Sequence, residues 1–411
     1  MTDPIVVVGI GADGWDGLSP RARREIEGAD VLLGSPRQLD LVPDSTARRV
    51  PWPSPLVPAL PGLLVQFDGR RICVLASGDP MFHGVGVTLV ELLGSSRVRV
   101  IPHPSSATLA CARMGWPLHA TAIVSLVNRP VESLTPALTD RGRVLVLSRD
   151  EHTPAVVAAL LSAAGFGASR LSVLGDLGGP AESRVDGTAS SWTSDPGARL
   201  NVIAIECVAG PDRLRLTRIP GLPDAAYSGD GQMTKHEIRA LTLCALAPAP
   251  GEVLWDVGGG SGTIGIEWMR TDSRCRAVAF ERDAGRMGQI EANATRLGVP
   301  SLVILGAVPS AFEDAPDGTS EPDAIFVGGG VTQEGLLEEC WTSLRGGGRL
   351  VANAVTAESE ALLLQWFSKC GGQLRKFQVY RGGPLGEFTA WRPQLPVVQW
   401  SVTKQSKGKT T

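Results

Sequence analysis

The chain has 411 residues, a length that predicts two or three domains. Its 39 basic and 42 acidic residues give a net charge of −3, so no global basic field points to nucleic acid or to an anionic membrane surface. The apolar runs are of strand length, none approaches a membrane span, and the start MTDPIVVVGIG has no cationic leader, so we expect a cytoplasmic protein.

Cysteine and histidine are scattered along the chain. The seven cysteines show no C-x-x-C spacing, and the five histidines show no H-x-x-x-H or H-E-x-x-H arrangement. Zinc sites are recognised by such spacings, so the sequence predicts buried thiols and no structural or catalytic metal.

The N-terminal segment predicts alternating strands and helices. Ile5–Val8 is a strand that runs into the glycine loop Gly9–Gly14. Ser19 then caps a helix over Arg21–Ala29, with Pro20 at its first position. Val31–Gly34 follows as a second strand.

Proline is frequent over residues 42–62, so we expect irregular structure there until a helix resumes near Leu63. Arg71–Ala76 is then a strand followed by the turn S-G-D-P-M-F-H-G, and Val98–Ile101 is a strand followed by P-H-P-S-S-A-T. Taken singly, these turns are explained by helix capping, with Asp79 before Pro80 in the first and Ser105 or Ser106 in the second.

Taken together, three motifs resemble the tetrapyrrole (precorrin) methylase family over about residues 4–210: G-x-G-x-x-G, S-G-D-P-x-x-x-G and P-x-P-S-S-A. The resemblance implies two α/β lobes with S-adenosylmethionine between them. In that family the cofactor lies against the positions that match Gly78, Asp79, Ser105 and Ser106, and the N-terminal glycine loop faces the substrate.

The rest of this half continues the α/β pattern, with a helix over Thr153–Ala164 and strands at Ala122–Leu126, Arg143–Leu147, Arg170–Leu174 and Asn201–Glu206. Turn residues dominate Ala209–Asp224, which marks a domain boundary. We therefore predict a first domain over residues 1–212, a second over 222–402, and a disordered tail over 403–411.

The second domain opens with G-Q-M-T-K-H-E-I-R, in which Thr234 and Glu237 predict a helix capping box. Val253–Val257 is a buried strand, glycine fills alternate positions behind Asp256, and helical spacing begins at Thr263. About twenty residues later a second apolar run ends in Glu281, placed to accept hydrogen bonds from the two hydroxyls of a ribose.

A glycine turn alone is explained by any tight connection between a strand and a helix. The pattern D-x-G-x-G-x-G with an acidic second strand, however, resembles the class I S-adenosylmethionine-dependent methyltransferases, whose cofactor carries no phosphate. The resemblance implies a doubly wound, mostly parallel, seven-stranded Rossmann-like sheet. It also implies that the glycine turn and the acidic end of the second strand bind the cofactor, through Gly258, Gly259, Gly260, Ser261, Gly262 and Glu281. A resemblance of two further segments to precorrin methyltransferases adds Thr234 and the backbone of Val308 to this set.

The remaining elements alternate in the same way. Predicted strands are Arg276–Glu281, Leu302–Leu305, Asp323–Val327 and Gly348–Ala354, predicted helices are Ala284–Leu297 and Gln333–Leu344, and Gln373–Tyr380 with Phe388–Trp400 form an antiparallel edge pair. Where relatives carry G-D-A-P after the third strand, this chain reads Gly306-Ala-Val-Pro309, which leaves only backbone contacts from Val308 to an adenine.

The segment Q-M-T-K-x-E-x-R resembles the decarboxylating precorrin-6Y methyltransferases, a fusion of these two methyltransferase types. This resemblance implies methylation of C5 by the first domain, methylation of C15 and loss of the ring C acetate carboxyl by the second, and one S-adenosylmethionine in each. We expect a reduced precorrin as substrate, no nucleic acid or membrane partner, and a homo-oligomer. Cationic side chains that could meet substrate carboxylates are Lys235, Arg239, Arg381 and Arg392.

Two alternatives remain open on the sequence. One is a methyltransferase acting on RNA or on another small molecule, and the other is a protein that senses S-adenosylmethionine without turnover. The sequence contains no Ser-His-Asp or Cys-His constellation, which fits chemistry that needs orientation rather than a nucleophilic side chain.

Overall fold

A computed structural model of the chain describes residues 4–193, 195–229, 231 and 233–406. The chain divides into two compact units. Unit 1 comprises Met1–Val131 and Ala137–Pro211, and unit 2 comprises Glu132–Pro136 and Asp212–Thr411. Predictions that fall on residues 1–3, 232 and 407–411 lie outside the described residues.

The first sheet of unit 1 is parallel throughout, with strand order β3-β2-β4-β1-β5. Its strands are β1 (Ile5–Ile10), β2 (Val31–Gly34), β3 (Arg48–Pro51), β4 (Ile72–Ser77) and β5 (Val98–Ile101). The associated helices are α1 (Gly14–Gly17), α2 (Pro20–Glu27), α3 (Pro36–Asp40), α4 (Leu56–Val65) and α5 (Val85–Leu93). Val6 and Val8 pack in one core cluster and Ile5 and Val7 in another, because successive side chains point to opposite faces of a sheet.

The second sheet of unit 1 is mixed, with order β6-β7-β10-β8-β9. Its strands are β6 (Ala122–Ser125), β7 (Arg143–Leu147), β8 (Arg170–Gly175), β9 (Ser183–Thr188) and β10 (Asn201–Glu206), and its helices are α6 (Ser106–Met114) and α7 (Thr153–Ala163). Only β6 and β7 pair in parallel, whereas the other neighbours in this sheet are antiparallel.

Unit 2 is built on one seven-stranded mixed sheet of order β13-β12-β11-β14-β15-β19-β16. The strands are β11 (Val253–Val257), β12 (Arg276–Phe280), β13 (Val303–Leu305), β14 (Ala324–Val327), β15 (Arg349–Ala354), β16 (Gln373–Phe377) and β19 (Val397–Thr403), and a separate hairpin is formed by β17 (Tyr380–Leu385) and β18 (Phe388–Pro393). Strands β11 to β15 are parallel, and β19 is antiparallel to both of its neighbours.

Helices cover both faces of this sheet: α8 (His236–Leu246), α9 (Thr263–Thr271), α10 (Ala284–Arg296), α11 (Leu336–Ser343) and α12 (Ala357–Cys370). Trp255 and Val257 pack with α11 and α12, whereas Leu254 packs with α8, α9 and α10. Strand order reverses at β11, which pairs with β12 on one side and β14 on the other. In open α/β sheets such a switch point opens a crevice at the carboxyl ends of the strands.

Several sequence predictions need correction. The proline-rich stretch contains β3 and the first turns of α4, which begins at Leu56 and not near Leu63. Pro55 and Pro58 lie in its cap and first turn, where a missing N–H costs no hydrogen bond, and Pro61 lies inside the helix. The Phe388–Trp400 run divides between β18 and β19, so the edge of the sheet pairs β16 with β19. Helix α12 and strand β9 are absent from the sequence predictions. The chain remains in the sheet to Thr403, and Lys404 Nζ donates to the Leu344 carbonyl.

The predicted capping box of α8 is also wrong. The helix begins at His236 with Lys235 as its N-cap and without a side-chain cap. Thr234 lies one residue before this cap, and its carbonyl accepts a hydrogen bond from Arg239 Nη1.

A buried carboxylate connects the start of unit 2 to its core. Glu267 in α9 is 2% exposed and accepts hydrogen bonds from Gly221 N (2.6 Å), Leu222 N (3.0 Å) and Tyr227 Oη (2.8 Å). Arg239 Nε, fully buried, donates to the same carboxylate at 2.5 Å. The charge of Glu267 therefore balances Arg239 and fixes the segment that leads into α8.

We predict that Glu267→Gln destabilises unit 2 by about 3–5 kcal/mol, because breaking a buried pair leaves Arg239 without its closest counter-charge. Hydrogen exchange measured by mass spectrometry would show faster exchange in β11 and β14, with unit 1 as the internal reference. The matched control is Glu338→Gln at an exposed position of α11. Unchanged protection of β11 in Glu267→Gln would contradict this role.

Candidate functional site

The tight turn after β11 requires glycine at two positions. Gly258 and Gly262 have φ values of +76° each. A Cβ at Gly258 would lie 2.8 Å from Gly329 N, and a Cβ at Gly262 would lie 2.8 Å from Ile290 Cγ2. Conformation and space thus both exclude larger residues here, and the backbone of the turn borders a cavity at the carboxyl ends of the strands.

Glu281 follows β12 directly and is 6% exposed. Its Oε2 accepts a hydrogen bond from Gly260 N at 2.8 Å, and its Oε1 accepts one from Asp283 N at 3.0 Å. Each carboxylate oxygen retains a second lone pair, and the side chain borders the cavity. The predicted acceptor of ribose hydroxyls is therefore held against the glycine turn by the backbone.

Asp256 lies at the end of β11 and is 1% exposed. Burial raises the pKa of its carboxyl group to about 7, an effect that the nearby Glu281 charge reinforces and a hydrogen bond from Gly265 N (2.9 Å) opposes. This carboxyl group therefore carries a proton over much of the range below neutrality, and a cation placed beside it would displace that proton.

Ser261 is held by Asn293 of α10, whose Nδ2 donates to the Ser261 carbonyl at 3.0 Å. Asn293 Oδ1 also accepts a hydrogen bond from Ser228 N at 3.0 Å. The Ser261 hydroxyl oxygen is buried beside the cavity and has no hydrogen-bond partner within the described part of the chain. An unpaired buried hydroxyl at this position suits a polar ligand group.

The cavity has a volume of about 590 Å³, which suits a ligand of nucleoside size or larger. The structure brings nearly all the predicted residues of unit 2 to its wall, namely Thr234, Gly258, Gly259, Gly260, Ser261, Glu281 and Val308. Gly262 is the exception, because it forms the N-cap of α9 and packs against Ile290.

Sequence reasoning missed Gln333, Asn353, Arg282 and Arg286, which also line the cavity. Gln333 Nε2 donates to the Val308 carbonyl at 2.8 Å, so that this carbonyl is already occupied. Asn353 Nδ2 donates to Thr242 Oγ1 at 2.9 Å. These residues belong to no recognisable motif, and only the packing of the strand ends brings them to the site.

The predicted cationic partners differ in their surroundings. Arg239 is fully buried in the Glu267 network, so its assignment as a substrate contact is wrong. Arg381 pairs with Glu237 at 2.7 Å, and Arg392 donates to the Pro384 carbonyl within the hairpin. Lys235 lines the cavity and donates to the Gly231 carbonyl at 3.1 Å, so it is the candidate of the four that borders the site.

In unit 1 the two predicted cofactor turns meet. Gly78 has a φ of +55°, and a Cβ on it would lie 3.3 Å from both Pro104 O and Ser105 Cα. Asp79 caps no helix, because α5 begins only at Val85, and its Oδ1 instead accepts from Met81 N at 2.9 Å.

Ser105 caps α6 through Thr108 N at 3.1 Å, and Ser106 is the first residue of that helix. The N-terminal N–H groups of α6 thus lie beside Gly78, where they can meet an anionic or polar ligand group. A separate cavity of about 350 Å³ in unit 1 is lined by the N-terminal glycine loop and by His103.

Among the described residues, no group of three or more His, Cys, Asp or Glu side chains is arranged to hold a metal ion. No described helix combines the length and apolar character needed to cross a bilayer.

Each half of the chain matches a known protein family. The family described as tetrapyrrole (corrin/porphyrin) methylases matches residues 4–192, and the family described as precorrin methyltransferase domain matches residues 225–404. A solved C-terminal domain of precorrin-6Y C5,15-methyltransferase from Rhodobacter capsulatus is 41% identical, with 46% of this chain and all of that chain covered and a TM-score of 0.43.

Two relatives extend along nearly the whole chain. A precorrin-6Y C(5,15)-methyltransferase (decarboxylating) from Mycobacterium tuberculosis is 53% identical over 405 residues, which covers 98% of this chain and 100% of the relative. A protein of the same name from a Sinorhizobium species is 44% identical over 402 residues, with 97% and 96% covered. The chain therefore belongs to the family of decarboxylating precorrin-6Y C(5,15)-methyltransferases.

Proposed function

We propose that the chain transfers methyl groups from S-adenosylmethionine to C5 and C15 of a reduced precorrin and removes the carboxyl group of the ring C acetate, in cobalamin biosynthesis. Unit 1 methylates C5, whereas unit 2, a Rossmann-like methyltransferase, methylates C15 and decarboxylates. The observation that carries the proposal is the Glu281 carboxylate, which accepts a hydrogen bond from Gly260 N in the alternating-glycine turn. Each unit holds one S-adenosylmethionine.

The residues of unit 2 fit the parts of this cofactor in turn. Glu281 accepts hydrogen bonds from the ribose hydroxyls, and the backbone of Val308 borders the adenine. Asp256 and the unpaired Ser261 hydroxyl suit the charged amino-acid end, where an ammonium group needs an anion and a carboxylate needs a donor. The Thr234 segment borders the cavity from the side of α8.

Within unit 2 the protein contributes orientation and exclusion of water. S-adenosylmethionine supplies a methyl group on a positively charged sulfur, so no nucleophilic side chain is required. Gly328, Gly329 and Gly330 line the cavity after β14 and present backbone without side chains, which leaves room for a flat macrocycle to approach. Lys235, Arg282 and Arg286 supply positive charge to the cavity wall, as the acetate and propionate groups of a precorrin require.

In unit 1 the cofactor lies against Gly78 and Asp79 on one side and Ser105 and Ser106 on the other. The close approach of these two turns and the free N–H groups at the start of α6 support this placement. The homo-oligomer, the cytoplasmic location and the lack of a nucleic-acid partner stay predictions from sequence.

The direct test is mass spectrometry of the product after incubation of the full chain with S-adenosylmethionine and the reduced precorrin. The proposal requires a product that has gained two methyl groups and lost one carbon dioxide. Cofactor binding without any change in the precorrin would favour a sensor instead.

We predict that Glu281→Gln weakens cofactor binding to unit 2 by about 10- to 100-fold, since hydrogen bonds to a charged group contribute about 1.5–3 kcal/mol. Methylation at C15 falls accordingly in steady-state assays, while methylation at C5 persists. Asp79→Ala has the reverse pattern, because it disturbs the turn beside Gly78 in unit 1. Loss of the same methylation in both variants would refute this division of labour.

Asp256 makes cofactor binding depend on pH. With the pKa at about 7 in the free protein, the carboxyl group is protonated at about pH 6, and the cationic end of the cofactor favours its ionised form. Binding at about pH 6 should therefore release up to one proton from unit 2, and this release should vanish at about pH 9, where the carboxylate is already ionised.

Isothermal titration calorimetry in two buffers of different protonation enthalpy measures this proton release. The isosteric variant Asp256→Asn serves as the control, and the difference between wild type and variant isolates the contribution of this side chain. Equal proton release by the two proteins at about pH 6 would show that Asp256 does not face the cationic group.

A further inference from the structure

The N-terminal glycine loop of unit 1 encloses a histidine–aspartate pair. His103 Nε2 lies 3.2 Å from Asp13 Oδ1, and only 10% of the His103 side chain is exposed. A Cβ at Gly11 would lie 2.6 Å from Asp13 Oδ1 and 2.8 Å from His103 Nε2, and a Cβ at Gly17 would overlap the Asp13 carboxylate. The glycines at these positions therefore make room for the pair.

The pair lines the cavity of about 350 Å³. Among the described residues that line it, only Asp13, Ser19 and His103 carry nitrogen or oxygen in their side chains. The Ser19 hydroxyl oxygen already accepts a hydrogen bond from Ala22 N at 3.2 Å. This leaves the histidine and the aspartate as the basic groups of the cavity.

The pair also lies next to the turns proposed to hold the methyl donor. His103 precedes Ser105 by two residues, and a Cβ at Gly9 would lie 2.9 Å from His103 Cβ and would overlap the Gly78 carbonyl. Gly9 therefore packs against both His103 and the Gly78 carbonyl, and the cavity that Gly9 and His103 line lies beside the turn that carries Gly78.

Methylation of a bridge carbon produces a proton that must be accepted. The enamine π electrons form the new bond from C5 to the methyl group, and the electrons of the broken carbon–sulfur bond stay on sulfur, which becomes a neutral thioether. C5 then carries both hydrogen and methyl. When the C5–H electrons return to the conjugated system, the proton leaves, so the balanced reaction needs a base.

We propose that His103 is this base and that Asp13 is its positioning residue, an inference that rests on the C5 methylation proposed for unit 1. Asp13 Oδ1, 3.2 Å from His103 Nε2, has no hydrogen-bond partner of its own among the described residues. A proton on Nε2 would meet this oxygen and leave Nδ1 of the neutral imidazole as the proton acceptor. The Asp13 carboxylate fixes this tautomer and stabilises the imidazolium that forms, as an aspartate does in other histidine–aspartate pairs.

The first test uses the full chain with His103→Gln, and His119→Gln at an exposed position of the same unit is the matched control. His103→Gln should lower kcat for C5 methylation by about 10²- to 10⁴-fold, the usual contribution of a general base, with KM for S-adenosylmethionine unchanged. A substrate deuterated at C5 should show a larger isotope effect in this variant than in the wild type, because proton removal becomes rate-limiting.

The second test is chemical rescue of His103→Ala by imidazole, which a purely structural role of the histidine would not permit. Asp13→Asn should lower kcat while leaving KM for S-adenosylmethionine unchanged. Wild-type kcat in His103→Gln, or a loss of activity with neither isotope effect nor imidazole rescue, would overturn the proposal. Failure of the wild-type chain to methylate C5 would instead refute the proposed function of unit 1.

Discussion

The hydrogen bond from Gly260 N to Glu281 connects the ends of two neighbouring parallel strands, and the site in unit 2 depends on it. It holds the turn after β11 against the end of β12, and it places a carboxylate that is 6% exposed beside the cavity. A carboxylate is buried at such a position only when it is well hydrogen-bonded, and two backbone N–H groups meet that need here. The acid is thereby directed into the cavity at a fixed orientation before any ligand arrives.

Other residues around the site in unit 2 pack against the same turn. Gly258 lies against Gly329, with no room for a Cβ between them, and Asn293 holds the other side of the turn by donating to the Ser261 carbonyl. Asp256 lies behind the same turn, where burial raises its pKa and the charge of Glu281 adds to the effect. One tight turn therefore determines both the shape of the cavity and its response to protons. In unit 1, by contrast, glycines leave space for the side chains of Asp13 and His103 and allow Gly78 to lie close to Ser105.

Much of this architecture follows from local patterns in the sequence. Strand β11 and the start of α9 have the predicted bounds because an unbroken apolar run, alternating glycines and helical spacing succeed one another without ambiguity. The start of helix α4 was predicted too late because proline is tolerated in the first turn of a helix, and α12 was missed because its apolar residues carry no motif. The cap of α8 was misassigned because the contacts of this segment are long-range: Arg239 donates both to Glu267 in α9 and to the Thr234 carbonyl. Gln333 and Asn353 reach the site only through sheet topology, which no short window of sequence contains.

We propose that two unrelated pockets, one in each unit, hold the same phosphate-free adenosyl ligand. The most direct measurement is the stoichiometry of S-adenosylhomocysteine binding to the full chain by equilibrium dialysis, since this product of methyl transfer keeps the adenosyl and amino-acid groups. We expect two molecules bound per chain at saturation. Saturation at one molecule, or displacement of the bound ligand by a dinucleotide, would contradict the account.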